Sequence, residues 1–94
     1  MTTTRKDAAR IAAARLAALT TAQVVEQWDH TDALMADYAL PQDDRLAVID
    51  VRAWLLDDLE RRDPAALIAW IDAVCAADAG TDVSPAAFYL GGAK

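Results

Sequence analysis

The sequence is poor in the residues that build chemistry. Cys75 is its one cysteine and His30 its one histidine. One cysteine forms no internal disulfide, and a zinc cage has too few soft ligands. A Cys–His pair would need those two residues side by side. Glycine and proline are scarce, three of each, so few positions break the chain. No apolar stretch approaches the roughly 18 residues of a membrane-spanning helix. The phosphate-cradling G-x-x-x-x-G-K-[ST] and G-x-G-x-x-G loops are absent, as is the D-x-D-x-D-G calcium loop. Asp43-Asp44 and Asp57-Asp58 are adjacent in sequence and so point in different directions on a helix. Nothing here forms an acid–base pair, and the reading is of a non-enzyme with no cofactor and no metal.

What is abundant is alanine. The chain has 94 residues, 55% of them apolar, but 23 are alanine. The larger apolar residues are few, and helix propensity must supply much of the order. Charge is split. Residues 1–19 carry Arg5, Lys6, Arg10 and Arg15 against Asp7, a net of +3; residues 20–94 carry −9. The acidic body repels nucleic-acid phosphate and suits a basic protein surface. Arg15 interrupts the apolar run Ile11–Leu19, and a helix cap follows it rather than a cleavage loop. The segment therefore reads as a helix and the protein as cytoplasmic.

Apolar spacing and caps predict an all-α fold, a small bundle of four helices plus a C-terminal turn, in a single domain over 1–94. The first, basic helix covers about 4–19, starting at Thr4 with Asp7 in its first turn. Its larger residues Ile11, Leu16 and Leu19 make only a weak stripe, so it is either mobile or in need of a partner. Thr20 and Gln23 form a capping box for a second helix over 21–39, with Val24, Trp28, Thr31, Met35 and Ala39 on one face. Asp29–Asp32 is poor in helix formers, and a break there is the alternative to a continuous helix. After Pro41, Asp43 or Asp44 caps a third helix over 44–62, with Val48, Ile49, Val51, Leu55, Leu56 and Leu59 in its arc. Asp63-Pro64 starts a fourth helix. That helix runs to about 79 with a stripe of Leu67, Ile68, Ile71, Val74 and Cys75, and Gly80 closes it. Ser84-Pro85 opens a last turn over 86–90 that packs Phe88 and Leu90 back onto the bundle. Core helices fill 20–79, and 80–94 is turn and tail.

Two constellations stand out. Asp32 and Arg52 each interrupt the apolar arc of their own helix. Because burying an unpaired charge costs several kcal/mol, Asp32 (failing that, Asp29) is expected to pair with Arg52. The second is an acidic row, Asp43, Asp50 and Asp57, with Asp58 beside it and Trp54 on the same side. A tryptophan ringed by aspartates reads as a docking surface for a basic protein. The other reading is that Trp54 is covered by the first helix or the C-terminal turn. His30 reads as a solvated helix residue and Cys75 as a small core residue.

Leu19–Val25 and Val51–Leu55 loosely resemble the opening and second helix of excisionase-type DNA-binding domains. The gap between them is too long, and Asp50, Asp57 and Asp58 lie where phosphates would seat. A DNA-associated regulator would use Arg5, Lys6, Arg10 and Arg15. The segment Thr20–Trp70 resembles a group of short proteins from actinobacteria, their phages and mobile elements. The matching pieces are Leu19-Thr20-Thr21-Ala22-x-Val24-Val25-x-x-Trp28, Val51–Glu60, Arg62–Ala66 and Ala69-Trp70. That resemblance implies a small bacterial or phage accessory protein and brings no activity. The expected function is non-enzymatic protein interaction, with a basic partner or with a second copy as a homodimer. A DNA-associated regulator and a self-assembling structural protein are the alternatives.

Overall fold

A computed structural model describes residues 4–77 and 83–90. It is all-α, with no strand among those residues. The helices are α1 (Arg5–Ala17), α2 (Thr21–Met35), α3 (Gln42–Arg62), α4 (Pro64–Ala76) and the single turn α5 (Ala86–Tyr89). α1, α2 and α4 each pack on α3, and α5 packs on α2 and α4.

Local chemistry sets most helix starts. The Thr4 hydroxyl accepts from the Asp7 backbone N–H at 3.1 Å. Thr20 and Gln23 close the expected reciprocal box, at 3.1 and 2.9 Å. Asp63 caps α4 by accepting from the Ala66 N–H at 3.0 Å, with Pro64 in the first turn. α3 departs from expectation. Pro41 occupies its N-cap position, no side chain caps it, and Asp43 and Asp44 lie in its first turn. There they face the positive end of the helix dipole instead of capping it.

α2 also departs, at its C-terminal end. Through Asp29–Asp32 it is the continuous helix rather than the broken one. The Thr31 hydroxyl donates to the Trp28 carbonyl at 2.6 Å, and Asp29 and Asp32 both find partners, so these residues satisfy the helix rather than compete with it. α2 then stops at Met35, not at 39. Arg45 donates to the Met35 and Asp37 carbonyls at 3.0 and 2.8 Å, and the Asp37 carboxylate accepts from the Ala39 N–H at 2.9 Å. These bonds hold a turn where another turn of helix would have formed.

The core is Val24, Val25 and Trp28 of α2, Leu55 and Leu59 of α3, and Ala66, Leu67 and Trp70 of α4. Trp28 and Trp70 meet edge to face, centroids 5.0 Å apart at 89°, a geometry that matches the ring edges to the electron-rich faces. The segment 83–90 seals this pair. Trp70 Nε1 donates to the Val83 carbonyl at 2.8 Å, and Ser84 donates to the Asp29 carboxylate at 3.0 Å. Pro85 is buried, and the Tyr89 hydroxyl donates towards the Leu59 carbonyl at 2.9 Å with the Asp63 carbonyl at 3.2 Å. Phe88 packs against the core as expected, whereas Leu90 remains exposed. Gly80 and the expected end of α4 near 79 lie outside the described residues.

The largest correction concerns α4. Ile68, Ile71, Val74 and Cys75, expected inside, are exposed. α4 is apolar on nearly all sides, and Trp70 decides which side turns in. Burying one indole against Trp28 with its N–H satisfied outweighs burying an isoleucine.

Asp58 is the other correction. Expected on the acidic outer face, it is 1% exposed. Its carboxylate accepts from Arg61 and from Arg62 Nε. Arg62 also donates to the Thr21 hydroxyl at 3.1 Å and to the Leu16 and Leu19 carbonyls at 2.8 Å each. One buried pair thus joins the end of α3 to the end of α1 and the start of α2.

Asp58→Ala removes the carboxylate that Arg61 and Arg62 share, and Arg62→Ala leaves the buried Asp58 with Arg61 as its one ionic partner; each should cost up to about 3–5 kcal/mol. That is a large part of the roughly 5–14 kcal/mol expected for a domain of this size. The apolar double variant Asp58→Leu/Arg62→Met should recover much of that loss in urea unfolding. If the single variants match wild type, the pair does not hold the fold. Burial pushes the Tyr89 hydroxyl above its ordinary value of 10.0, and Asp63, Asp58 and Glu60 add to the rise. The unfolded chain therefore ionises first. This contribution is fully present below pH 10 and is lost as pH rises from there through the folded value. Tyr89→Phe should cost about 1 kcal/mol at neutral pH and flatten the alkaline fall in urea midpoint. An unchanged alkaline profile would exclude this role.

Candidate interaction surfaces

The Arg52 cluster forms because α2 and α3 cross with their apolar arcs facing. Arg52 Nη1 donates to Asp32 Oδ1 at 2.8 Å and to Thr31 Oγ1 at 3.0 Å. Its guanidinium lies 3.9 Å from the Trp28 ring centroid. The pair is partly exposed, and Asp29 instead accepts from Ser84. These bonds from Arg52 Nη1 to two residues of α2 fix the register of α2 on α3.

The acidic row is thinner than its spacing suggests. Asp43 and Asp57 are exposed. Asp50 accepts from Arg5 at 3.1 Å, and Asp58 is internal. Trp54 is half-buried and faces α1. It is neither a fully exposed anchor nor sealed: it lines an open groove of about 500 Å³ between α1 and α3. On the α1 side the groove meets Ala8 and Ala12, whose side chains are too short to close it. α1 itself buries no residue.

The basic residues of α1 are partly spent. Arg5 reaches Asp50, and Arg10 lies 3.9 Å from Asp7. Lys6 and Arg15 have no ion pair among the described residues, and Arg15 lines the groove. The four do not form a continuous cationic strip.

On α3, Ile49 and Val51, expected in the apolar arc, are exposed, as is Leu46, and two further exposed apolar features had no counterpart in the sequence reading. The first is the outer face of α4. Ile68, Ile71 and Val74 are 62%, 44% and 45% exposed, with Ala65, Ala69, Cys75 and Ala76 among them and Asp72 the only charge on the helix. The clue was composition: α4 has apolar residues on more sides than one core can cover. The second is Tyr38, fully exposed on the turn held by Arg45. Among the described residues no group of three or more His, Cys, Asp or Glu is placed to hold a metal, and no helix is long and apolar enough to cross a membrane. No family model, curated protein or solved structure matches the chain.

Arg52→Ala should destabilise by about 1–2 kcal/mol, combining the ion pair with the cation–π contact. Arg52→Lys keeps the charge but loses the planar stack, and should cost about half as much. Thermal unfolding followed by circular dichroism reads both. Equal stability of all three proteins would refute the cluster.

Proposed function

We propose that this chain is a non-enzymatic interaction protein that binds a protein partner through the outer face of α4. The observation that carries the reading is the exposure of Ile68, Ile71 and Val74 along one helix bearing a single charge. Scattered exposed apolar residues are ordinary, but a contiguous strip marks a binding surface. A partner helix laying its own apolar side along this strip would bury those side chains, each contributing about 1 kcal/mol or more. The −9 carried by residues 20–94, with Asp43 and Asp57 in solvent, favours a partner of basic character by steering its approach.

Self-association is the second reading, favoured by the near absence of charge on α4. An apolar strip with one charge at its side, Asp72, can face its own copy across a two-fold axis. A DNA-associated role draws less support, because Arg5 and Arg10 already face carboxylates. The resemblance to short actinobacterial and phage proteins supports an accessory role in a bacterium, phage or mobile element, in the cytoplasm.

Ile68→Glu/Ile71→Glu tests the surface. Both positions are exposed, so the unfolding free energy should stay within about 0.5 kcal/mol of wild type at each site. Cross-linking in extracts of the source cell should give a defined partner with wild type and lose it with the variant. If the partner is a second copy, light scattering should show a mass that rises with concentration for wild type alone. A monomeric wild type that captures the same proteins as the variant would overturn the proposal.

A further inference from the structure

The groove between α1 and α3 is a separate site from the α4 face. Its volume of about 500 Å³ falls within the ~300–1,000 Å³ typical of small-ligand clefts. Ile11 and Leu16 give it one apolar wall, and Val51 and Trp54 the other. Among the described residues, two polar side chains line it, Arg15 and Gln27.

Charge decides what fits. Arg5, Arg10, Arg52, Arg61 and Arg62 each face a carboxylate. Arg15 faces none among the described residues. Asp50, next to Val51 on α3, is already engaged by Arg5 at 3.1 Å. Among the described residues the groove is therefore an apolar slot whose one guanidinium faces no carboxylate, although the whole chain is acidic. A planar guanidinium receives a carboxylate through two parallel hydrogen bonds. The Gln27 amide adds a further donor. The indole of Trp54 gives a flat surface for a ring or an alkyl chain.

We propose that the α1–α3 groove binds a small amphipathic anion, an aryl- or alkyl-carboxylate. Its hydrocarbon lies over Trp54 and Val51, and its carboxylate meets Arg15. Alanine at 8 and 12 is what keeps the slot open. Leucine at either position would fill the volume that the ligand's hydrocarbon takes.

The test is a nuclear magnetic resonance titration of the full chain at low salt with three probes of one shape: 4-phenylbutyrate, 4-phenylbutan-1-ol and 4-phenylbutylamine. The Trp54 indole N–H is identified by its loss in Trp54→Phe. With 4-phenylbutyrate that signal and the Ala8 and Ala12 amides should shift saturably, with a Kd on the order of 1 mM, as the probe's size allows. The alcohol should bind about three- to fivefold more weakly and the amine more weakly still. Arg15→Gln should reduce 4-phenylbutyrate to the level of the alcohol. Ala12→Leu should abolish binding while raising the melting temperature, as cavity filling does. The proposal falls if the amine binds as well as the carboxylate, or if Arg15→Gln changes nothing. It also falls if Ala12→Leu still binds, or if no saturable shift occurs. The Arg15→Gln arm decides the matter should Ala12→Leu fail to fold. None of these outcomes bears on the α4 face, which the Ile68→Glu/Ile71→Glu variant tests separately.

Discussion

The pairing of Asp58 with Arg62 is the interaction on which the arrangement of helices rests. Asp58 lies fully inside, one helical turn before the end of α3, and Arg62 follows it at i+4. Burial of a carboxylate is tolerable only when its oxygens are occupied, and two arginines occupy them. Arg62 then has donors left over. They reach Leu16 O, Leu19 O and the Thr21 hydroxyl. The last carbonyls of a helix lack partners within it, so the end of α1 is a natural acceptor for a guanidinium. One side chain thereby closes the α1–α2 corner and ties it to α3. Since α1 has no fully buried residue and only Leu16 packs against the core from it, this tether adds to a docking that α2 and α4 make with an apolar face.

That solution has a consequence for the other end of α1. The tether holds its C-terminal turn, and the exposed Arg5–Asp50 bridge meets its first turn. Such surface bridges contribute little. Between these points alanine provides helix propensity but little volume. High propensity with small side chains gives a helix that forms readily and packs loosely. The Trp54 groove is the volume left over. Its size follows from the residue that makes α1 a helix at all, and its charge follows from Arg15, whose neighbouring arginines are already engaged.

The sequence made the local features legible and the choice between competing faces illegible. Thr4, the Thr20–Gln23 box and Asp63-Pro64 act within three residues of themselves, so spacing alone revealed them. The Arg52–Asp32 contact was also within reach, because each charge interrupts an apolar arc and must be answered from outside its helix. Asp58 gave no such sign. It sits beside Asp57 and one turn from Trp54, and a row of aspartates reads as solvated. Its burial depends on Arg62 meeting the α1–α2 corner, a contact between elements that periodicity cannot place. The same limit governs α4. A helix apolar all round has no preferred side by its own pattern, and Trp70 is chosen because Trp28 and Val83 await it on other elements. The end of α2 was missed because Arg45, ten residues on, captures its last carbonyls.

The exposed face of α4 follows from how small the core is. Trp28 and Trp70 fill the space between α2 and α4, and the 83–90 segment closes over them from the side. With two indoles in place there is no interior volume left for Ile68 or Ile71, and forcing either inside would displace an indole whose N–H is satisfied. Overpacking a finished core costs more than leaving an isoleucine in water. Folding alone therefore does not require isoleucine at these positions; alanine, the chain's favoured residue, would serve the helix better. Along α1 the chain places alanine at most of its exposed apolar positions, Ile11 apart. On the proposed reading, a partner that covered the isoleucines and valine on the outer side of α4 would stabilise the folded state by mass action, and occupancy of that face would then be coupled to the stability of a domain whose own core is thin.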